Sequence, residues 1–179
     1  MARPLSPGRS ASGEAAREAA LRILARGPRT EHEIAERLAS RGFAPEAVRD
    51  ALDRLRRVSL LDDRAFVRSF LRHEVPRRPE SGSMLRARLR RRGVPAELIE
   101  DIDAAIAEDP DLETEALATE EGRARRALEQ IVRKLRSRGP EERRRRLEQA
   151  LLRRGFSWDV IRELAREETG RETRDEEDQ

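Results

Sequence analysis

Apolar residues recur along this chain at the three- and four-residue spacing of amphipathic helices. One stripe consists of Val48, Ala51, Leu52 and Leu55. Two further stripes consist of Phe66, Val67, Phe70 and Leu71, and of Ala124, Ala127, Leu128, Ile131 and Leu135. The chain has neither the apolar–polar alternation of a strand nor an Asn-Gly or Asp-Gly hairpin turn. The pattern therefore predicts an all-α protein.

Polar residues and prolines mark where several of these helices begin. Thr30 followed by Glu33 is a capping-box pattern, Asp62 is a good N-cap, and Pro45 suits a first helical turn. Together with the stripes, these signals predict helices over residues 14–26, 31–41, 45–57, 63–75, 82–92, 95–107, 114–137, 141–154 and 158–168.

A repeat underlies this pattern. The segments 38–48 (LASRGFAPEAV), 89–99 (LRRRGVPAELI) and 151–161 (LLRRGFSWDVI) align without gaps. Each has an arginine, a glycine and an apolar residue where one helix gives way to the next. Glycine adopts the left-handed backbone that ends a helix at little cost, whereas a residue with a Cβ is strained there. We expect the three glycines to be structural corners: Gly42, Gly93 and Gly155.

The repeat spacing leaves room for a third helix in each unit. The expected architecture is an elongated, curved array of three tandem three-helix units. The expected divisions are a disordered N-terminal arm (1–13), repeat 1 (14–59), repeat 2 (60–107), an acidic linker with the start of a long helix (108–121), repeat 3 (122–168) and an acidic disordered tail (169–179).

Charge is abundant and segregated along the chain. Charged residues make up 42% of the sequence, and all but one of the basic residues are arginines. Residues 64–92 carry ten arginines against two acids, residues 95–121 carry eleven acids and no base, and residues 123–154 carry thirteen bases against four acids. Two interpretations stay open: basic and acidic helices neutralise each other, or basic stripes face a polyanion or an acidic protein surface.

Two arginine-rich segments are the candidate binding surfaces. The first lies on the helix over 82–92 and the loop before it, and the second on the helix over 141–154. The candidates are Arg77, Arg78, Arg86, Arg88, Arg91, Arg143, Arg144, Arg145, Arg146 and Arg153. We favour a binding role for Arg77, Arg78 and Arg86, because few acids lie near them in sequence. For Arg90 and Arg92 we favour pairing with the acidic segment that follows.

Other residue types point away from catalysis. There is no cysteine, and His32 and His73 have no spacing that suggests a metal or catalytic site. Neither a phosphate-binding glycine loop nor a nucleophile elbow occurs. Trp158 follows Ser157, a natural N-cap, and we expect it to be a packing anchor rather than a base-stacking platform. We expect a non-enzymatic, cytoplasmic protein without metal or cofactor, since neither a secretory signal nor a membrane span is recognised.

The N-terminal half carries a family resemblance. Residues 20–43 (ALRILARGPRTEHEIAERLASRGF) and 48–73 (VRDALDRLRRVSLLDDRAFVRSFLRH) resemble the RecX family, above all in the LLDD-R-x-F core from Leu60 to Phe66. The repeats at 85–99 and 147–161 are similar to that family's second and third repeats, so the resemblance covers about residues 14–168. Two features depart from it: the chain has no tyrosine, and its linker over 108–121 is unusually acidic.

This resemblance implies a partner and a role. RecX proteins bind RecA and restrain its recombinase and coprotease activities, in the groove of the RecA–DNA filament or at its growing end. It therefore implies a regulator, expected to be monomeric, that binds RecA or the RecA–ssDNA filament, with direct DNA contact as a further expectation. Two alternatives stay open: a general nucleic-acid-binding helical protein, and a membrane-surface binder, for which the helices lack bulky aromatic anchors.

Overall fold

The computed structural model describes residues 12–112, 115–135 and 139–166. Every regular element in these ranges is helical, which confirms the predicted all-α class. The elements are α1 (Gly13–Leu24), α2 (Glu31–Ala39), α3 (Pro45–Arg57), α4 (Asp63–Arg77), α5 (Gly82–Arg91), a 3-10 turn (Ala96–Leu98), α6 (Ile102–Ala107), α7 (Glu115–Ala118), α8 (Glu120–Leu135), α9 (Pro140–Leu152) and α10, described from residue 158 to 166. The acidic tail and all but two residues of the N-terminal arm lie outside the described ranges.

The chain divides into two compact units. Unit 1 takes in residues 1–69 and 88–100, and unit 2 takes in residues 70–87 and 101–179. Helices α4 and α5 each contribute residues to both units.

The core of unit 1 is built mainly from α1, α2 and α3. Alanines on α1, among them Ala16 and Ala20, are fully buried and let its backbone approach the neighbouring helices closely. Larger side chains fill the remaining space, including Ile34 and Leu38 from α2 and Leu55 from α3. The apolar stripe predicted on α3 is thus its buried face.

The predicted helix starts in unit 1 are present. Thr30 caps α2: its Oγ1 accepts a hydrogen bond from the Glu33 amide at 3.1 Å, while the Glu33 carboxylate accepts one from the Thr30 amide at 3.3 Å. Asp62 caps α4 by accepting from the Ala65 amide at 3.0 Å. Pro45 occupies the first turn of α3. These local contacts satisfy amide groups that have no partner inside the helix.

In unit 2, α8, α9 and α10 enclose a second core. The predicted stripe on α8 is buried against residues of α9 and α10. The buried residues of this core are Ala124, Ala127, Leu128, Ile131, Leu147, Leu151, Phe156, Ile161 and Leu164.

Two predicted helices are interrupted. The segment 95–107 forms only the 3-10 turn and then α6, because the Asp101 side chain accepts from the Ala104 amide at 2.9 Å and starts a new helix there. In the segment 114–137, α7 ends before Thr119, whose Oγ1 accepts from the Gly122 amide at 3.0 Å and caps α8. The prediction of single continuous helices was wrong at both places.

Candidate protein-binding surfaces

The three repeat glycines form corners with one backbone geometry. Gly42, Gly93 and Gly155 have φ of 86°, 74° and 82°. At each corner the glycine amide donates to the carbonyl three residues earlier at 2.9 Å, and the amide of the next residue donates to the carbonyl five residues before it at 3.2–3.3 Å. We call these corner 1 (41–43), corner 2 (92–94) and corner 3 (154–156).

Corner 2 packs on the first turn of α2, within unit 1. The buried Thr30 Oγ1 donates a hydrogen bond to the Arg92 carbonyl oxygen at 2.6 Å. The Arg92 Nε donates to Glu33 Oε1 at 2.8 Å, and its guanidinium lies 4.4 Å from the centre of the Phe66 ring. Arg92 therefore pairs with an acid of the first repeat. The prediction that it pairs with the acidic segment that follows it was wrong.

The contact with Arg92 affects the pKa of the Glu33 carboxylate. Burial acts to raise the pKa of Glu33, but the hydrogen bond from Arg92, its positive charge and the Thr30 amide outweigh burial, so the pKa is lowered. Glu33 thus stays ionised while it joins the start of α2 to corner 2.

Corner 3 packs on the first turn of α5, within unit 2, and here the donor to the corner is a backbone amide. The Ser81 amide donates to the Arg154 carbonyl oxygen at 3.0 Å, and Ser81 Oγ accepts from the Met84 amide at 3.2 Å. A Cβ at Gly155 would lie 2.5 Å from Ser81 Oγ. In both covered corners, a hydroxyl residue that caps one helix binds the carbonyl of the following repeat's corner.

Corner 3 lacks the acid that accompanies corner 2. Met84 occupies the position, three residues after the cap, that Glu33 occupies in α2. Arg154 Nη1 is buried without a hydrogen-bond partner in the described part of the chain. Burial, and next to it the charge of Arg78, lowers the pKa of Arg154.

The first arginine group predicted from sequence lies at the end of α4 and on α5. Arg77 is exposed, with Nη1 2.8 Å from His73 Nε2. Arg78 Nε lies 2.9 Å from a carboxylate oxygen of the buried Glu80. Arg86 is half-buried in unit 2. In unit 1, Arg88 is half-buried and Arg91 is exposed.

The second group lies on α9, in unit 2. Arg144 pairs with Glu148 at 3.1 Å and Arg146 with Glu142 at 2.8 Å, while Arg143 is half-buried. Arg145 and Arg153 are exposed, and no carboxylate of the described residues forms an ion pair with either. Two turns of helix separate them, about 12 Å at 1.5 Å per residue.

Within unit 2, the Ser81–Arg154 hydrogen bond brings parts of these two groups together. It joins the end of α9, which Arg153 directly follows, to the loop after α4, which begins at Arg78 next to the last helical residue Arg77. The two segments lie more than 70 residues apart in sequence, so this convergence depends on the fold.

One buried arginine, Arg123, was not predicted from the sequence. Arg123 is fully buried on α8: Nε donates to the Glu80 carbonyl at 3.1 Å, and Nη1 donates to the carbonyls of Leu117 and Ala118 at 3.0 and 3.1 Å. It also forms an ion pair with Asp103. The available signal was its position directly before the Ala124 stripe, on the edge of the buried face.

Several acids of the segment 95–121 are neutralised by ion pairs with arginines. Arg72 Nε lies 2.9 Å from the buried Asp109 and its Nη1 lies 2.6 Å from Asp111; the hydrogen bond to Asp109 raises the pKa of Arg72. Together with Asp103, these pairs support the neutralising interpretation of the charge pattern in unit 2. The exposed Arg145 and Arg153 are consistent with the other interpretation, in which basic residues face a polyanion or an acidic protein surface.

Trp158 is not a packing anchor. Its side chain is 53% exposed, whereas the neighbouring Phe156 and Ile161 fill the core of unit 2. Ser157 Oγ accepts from the Val160 amide at 3.4 Å, so the cap at this helix start is present. The expectation that Trp158 is a packing anchor was therefore wrong.

The described residues lack the features of two other classes of site. They contain no cluster of three or more His, Asp or Glu side chains placed to hold a metal ion. None of their helices combines the length and the apolar character that crossing a membrane requires.

Family models match the chain in three consecutive segments. RecX, first three-helix domain, matches residues 16–55; RecX, second three-helix domain, matches residues 62–102; and RecX, third three-helix domain, matches residues 119–164. The chain belongs to the RecX family. The three tandem three-helix units predicted from the repeat are thus three RecX domains, and each contains one glycine corner.

Individual RecX proteins agree with this assignment. The chain is 33% identical to Regulatory protein RecX of Chlorobaculum tepidum, over 86% of this chain and 88% of that protein. It is 36% identical to Regulatory protein RecX of Halorhodospira halophila, over 87% and 89%. Curated relatives thus match almost their whole length and carry the description of regulatory proteins.

Two crystal structures share the fold. RecX from Lactobacillus salivarius is 20% identical and superposes with a TM-score of 0.62, covering 87% of this chain and 95% of that one. A second structure, described as regulatory protein RecX, is 24% identical with a TM-score of 0.62, covering 84% and 70%. At these identities the likeness shows the fold alone.

Proposed function

We propose that this chain is a non-enzymatic regulator that binds RecA and modulates its recombinase, ATPase and coprotease activities. The observation that carries the proposal is the presence of all three RecX domains, in order, between residues 16 and 164. Binding in the groove of the RecA–DNA filament and binding at its growing end are the two modes considered. The proposal includes a monomer that acts in the cytoplasm.

The exposed face of α9 supports an electrostatic contact with the filament. Arg145 and Arg153 project from the side of the helix opposite the buried Leu147 and Leu151. Arginine presents a planar set of donors that matches both phosphate and carboxylate groups. This face therefore suits DNA phosphates or an acidic wall of the filament.

Two partly buried carboxyl groups with shifted pKa values are engaged in structural contacts, which supports a role without catalysis. Glu33 binds Arg92 and the Thr30 amide. Burial raises the pKa of Asp63, and its carboxylate accepts a hydrogen bond from the Glu31 amide at 2.9 Å. Neither group is assigned a chemical step, and the proposal requires no cofactor.

The second candidate function is general nucleic-acid binding without RecA. The observation that favours it is the exposure of Trp158, because exposed aromatic rings bind single strands by stacking on bases. Arg153 lies five residues before Trp158, on the other side of corner 3, and could contact the backbone of the same strand.

Titration of the ssDNA-dependent ATPase of RecA separates the two functions. A filament regulator is expected to inhibit ATP hydrolysis when far fewer chains than RecA protomers are present. A protein that only coats DNA inhibits near saturation of the lattice, because it competes for sites. For comparison, an Arg145→Glu/Arg153→Glu variant of the chain should reach the same inhibition of ATP hydrolysis only at a higher concentration than the wild-type chain. Inhibition only at saturation would contradict the proposal.

A further inference from the structure

Corner 1 has the geometry of the two covered corners, but no described residue covers it. We infer that corner 1 is the docking site for the first turn of a helix in a partner protein, a helix with Ser or Thr at its N-cap and an acid three residues later. The inference rests on the proposed function, because the RecA filament is the partner in which such a helix is sought.

The backbone argument starts from the equivalence of the corners. At corner 1 the Gly42 amide donates to the Ala39 carbonyl at 2.9 Å and the Phe43 amide to the Leu38 carbonyl at 3.2 Å, as at corners 2 and 3. The φ of Gly42 is 86°, close to the 74° and 82° of the other two glycines. A helix start that fits corners 2 and 3 therefore meets the same backbone at corner 1.

The covered corners define what such a surface binds. Corner 2 accepts a hydroxyl hydrogen bond from the cap Thr30 and pairs its arginine with the acid Glu33. Corner 3 accepts a backbone hydrogen bond from the cap Ser81. At both corners the start of the packed helix lies very close to the glycine. A Cβ on the glycine would overlap the side chain of His32 at corner 2 and that of Ser81 at corner 3.

Corner 1 offers the same groups, and none of the described residues occupies it. Gly42 is exposed, and within the described ranges no atom beyond Gly42 and its chain neighbours lies within 4 Å of the position its Cβ would take. Arg41, the counterpart of Arg92, forms no ion pair with any described residue, and none donates to its carbonyl oxygen. One acceptor and one guanidinium are thus free to receive a capping hydroxyl and an acid.

A partner protein fits this surface better than a second copy of the chain does. The helix of the third RecX domain that corresponds to α2 and α5 is α9, and its N-cap is Gly139, which has no hydroxyl. The acid three residues later, Glu142, already pairs with Arg146 at 2.8 Å. The α9 of a second copy would therefore supply neither the hydroxyl nor an unengaged acid. The hydroxyl caps Ser12, Thr119 and Ser157 are followed three residues later by Ala15, Gly122 and Val160, so none of them supplies the acid.

The sharpest test is Gly42→Asn. Asparagine tolerates the left-handed backbone, so the corner should persist, while its side chain occupies the space a docked helix needs. A second variant, Arg41→Glu, reverses the charge that receives the acid and does not strain the turn. Arg57→Glu, an exposed arginine at the end of α3 in the same unit, is the matched control.

The readouts are thermal unfolding and the Kd of each full-length variant for RecA–ssDNA filaments. We expect Gly42→Asn and Arg41→Glu to unfold close to wild type and to bind filaments about tenfold more weakly, with Arg57→Glu near wild type. Wild-type affinity in a folded Gly42→Asn variant and in Arg41→Glu would overturn the inference and leave the proposed function intact. Failure of the wild-type chain to bind filaments would overturn both.

Two further measurements identify the occupant. A photo-crosslinker at an exposed neighbouring residue, Ser40→Cys, should react within the first turns of a RecA helix that carries an acid. Reaction with a strand or loop of RecA would contradict the inference. So would sedimentation in which the wild-type chain associates with itself, Gly42→Asn does not, and filament binding is unchanged, because the occupant would then be a second copy.

Discussion

Arg92 and Glu33 form a two-point ion pair between residues 59 positions apart: Arg92 Nε donates to Glu33 Oε1 at 2.8 Å, and Nη2 donates to Oε2 at 3.0 Å. Both side chains are largely buried, at 28% and 17% exposure. Glu33 is also the acid of the capping box that starts α2. One carboxylate therefore holds a helix start and a corner of the next repeat at the same time.

Removal of this arginine should destabilise unit 1. We expect Arg92→Ala to lower the free energy of unfolding by about 1–3 kcal/mol, because it removes a charge-assisted contact that is mostly shielded from water. Urea denaturation followed by circular dichroism measures the change. The control is Arg90→Ala, an exposed neighbour, which should lie within about 0.5 kcal/mol of wild type. Equal effects of the two variants would contradict the importance of the pair.

The same pair predicts a dependence of stability on pH. The folded pKa of Glu33 is lowered, so its contribution is fully present above the unfolded pKa and is lost as the pH falls through the folded value, below about 4.5. Glu33→Gln should therefore show a smaller loss of unfolding free energy on acidification than wild type. Asp63 has a raised pKa and acts in the opposite sense, but it is present in both chains. Identical pH profiles would show that Glu33 is not coupled to folding.

Arg123 should be indispensable for unit 2. Arg123→Met keeps much of the volume but leaves three backbone carbonyls and the Asp103 carboxylate without their donor. We expect a loss of about 3–5 kcal/mol or failure to fold. Arg126→Met, an exposed position on the same helix, is the control and should be nearly neutral. A melting temperature of Arg123→Met equal to that of the control would contradict this role.

What could be predicted from the sequence was local. The cap at Thr30 depends on residues within one turn, and the turn at Gly42 uses a left-handed backbone that glycine adopts at least cost, so both can be recognised in a short segment. The same holds for the buried stripe of α8. The repeat then gave the number of three-helix units, because its period recurs along the chain.

What could not be predicted depends on pairs distant in sequence or on competing local contacts. Many acids could have paired with Arg92, and only the fold selects Glu33. Asp101 interrupts a segment whose apolar spacing favours one helix, because its side chain binds the backbone. Trp158 was expected inside, but Phe156 and Ile161 already fill the core of unit 2.

The exposure of Trp158 makes a direct prediction. Trp158→Ala should cost about 1 kcal/mol or less, whereas Phe156→Ala, at a position 2% exposed, should cost about 3–5 kcal/mol. Because Trp158 is the only tryptophan of the chain, its fluorescence should have the red-shifted emission of a solvated indole and be readily quenched by acrylamide. A blue-shifted, protected emission would contradict the exposed position.

The exposed face of α9 should determine the salt dependence of filament binding. Reversing charge in Arg145→Glu/Arg153→Glu should weaken binding and reduce the slope of log affinity against log salt by about one to two. Arg126→Glu, an arginine on α8 that pairs with Glu129, serves as a control of comparable charge change per site. An unchanged slope in the double variant would exclude this face from the contact.

The most direct test of the account compares the affinity of the full chain for two lattices, RecA–ssDNA filaments and the same ssDNA without RecA, at one moderate salt concentration. A RecX-family regulator that recognises the recombinase is predicted to bind the filament much more tightly than the bare strand. Equal affinity for the two lattices, or a preference for bare DNA, would contradict the proposed function and favour general nucleic-acid binding.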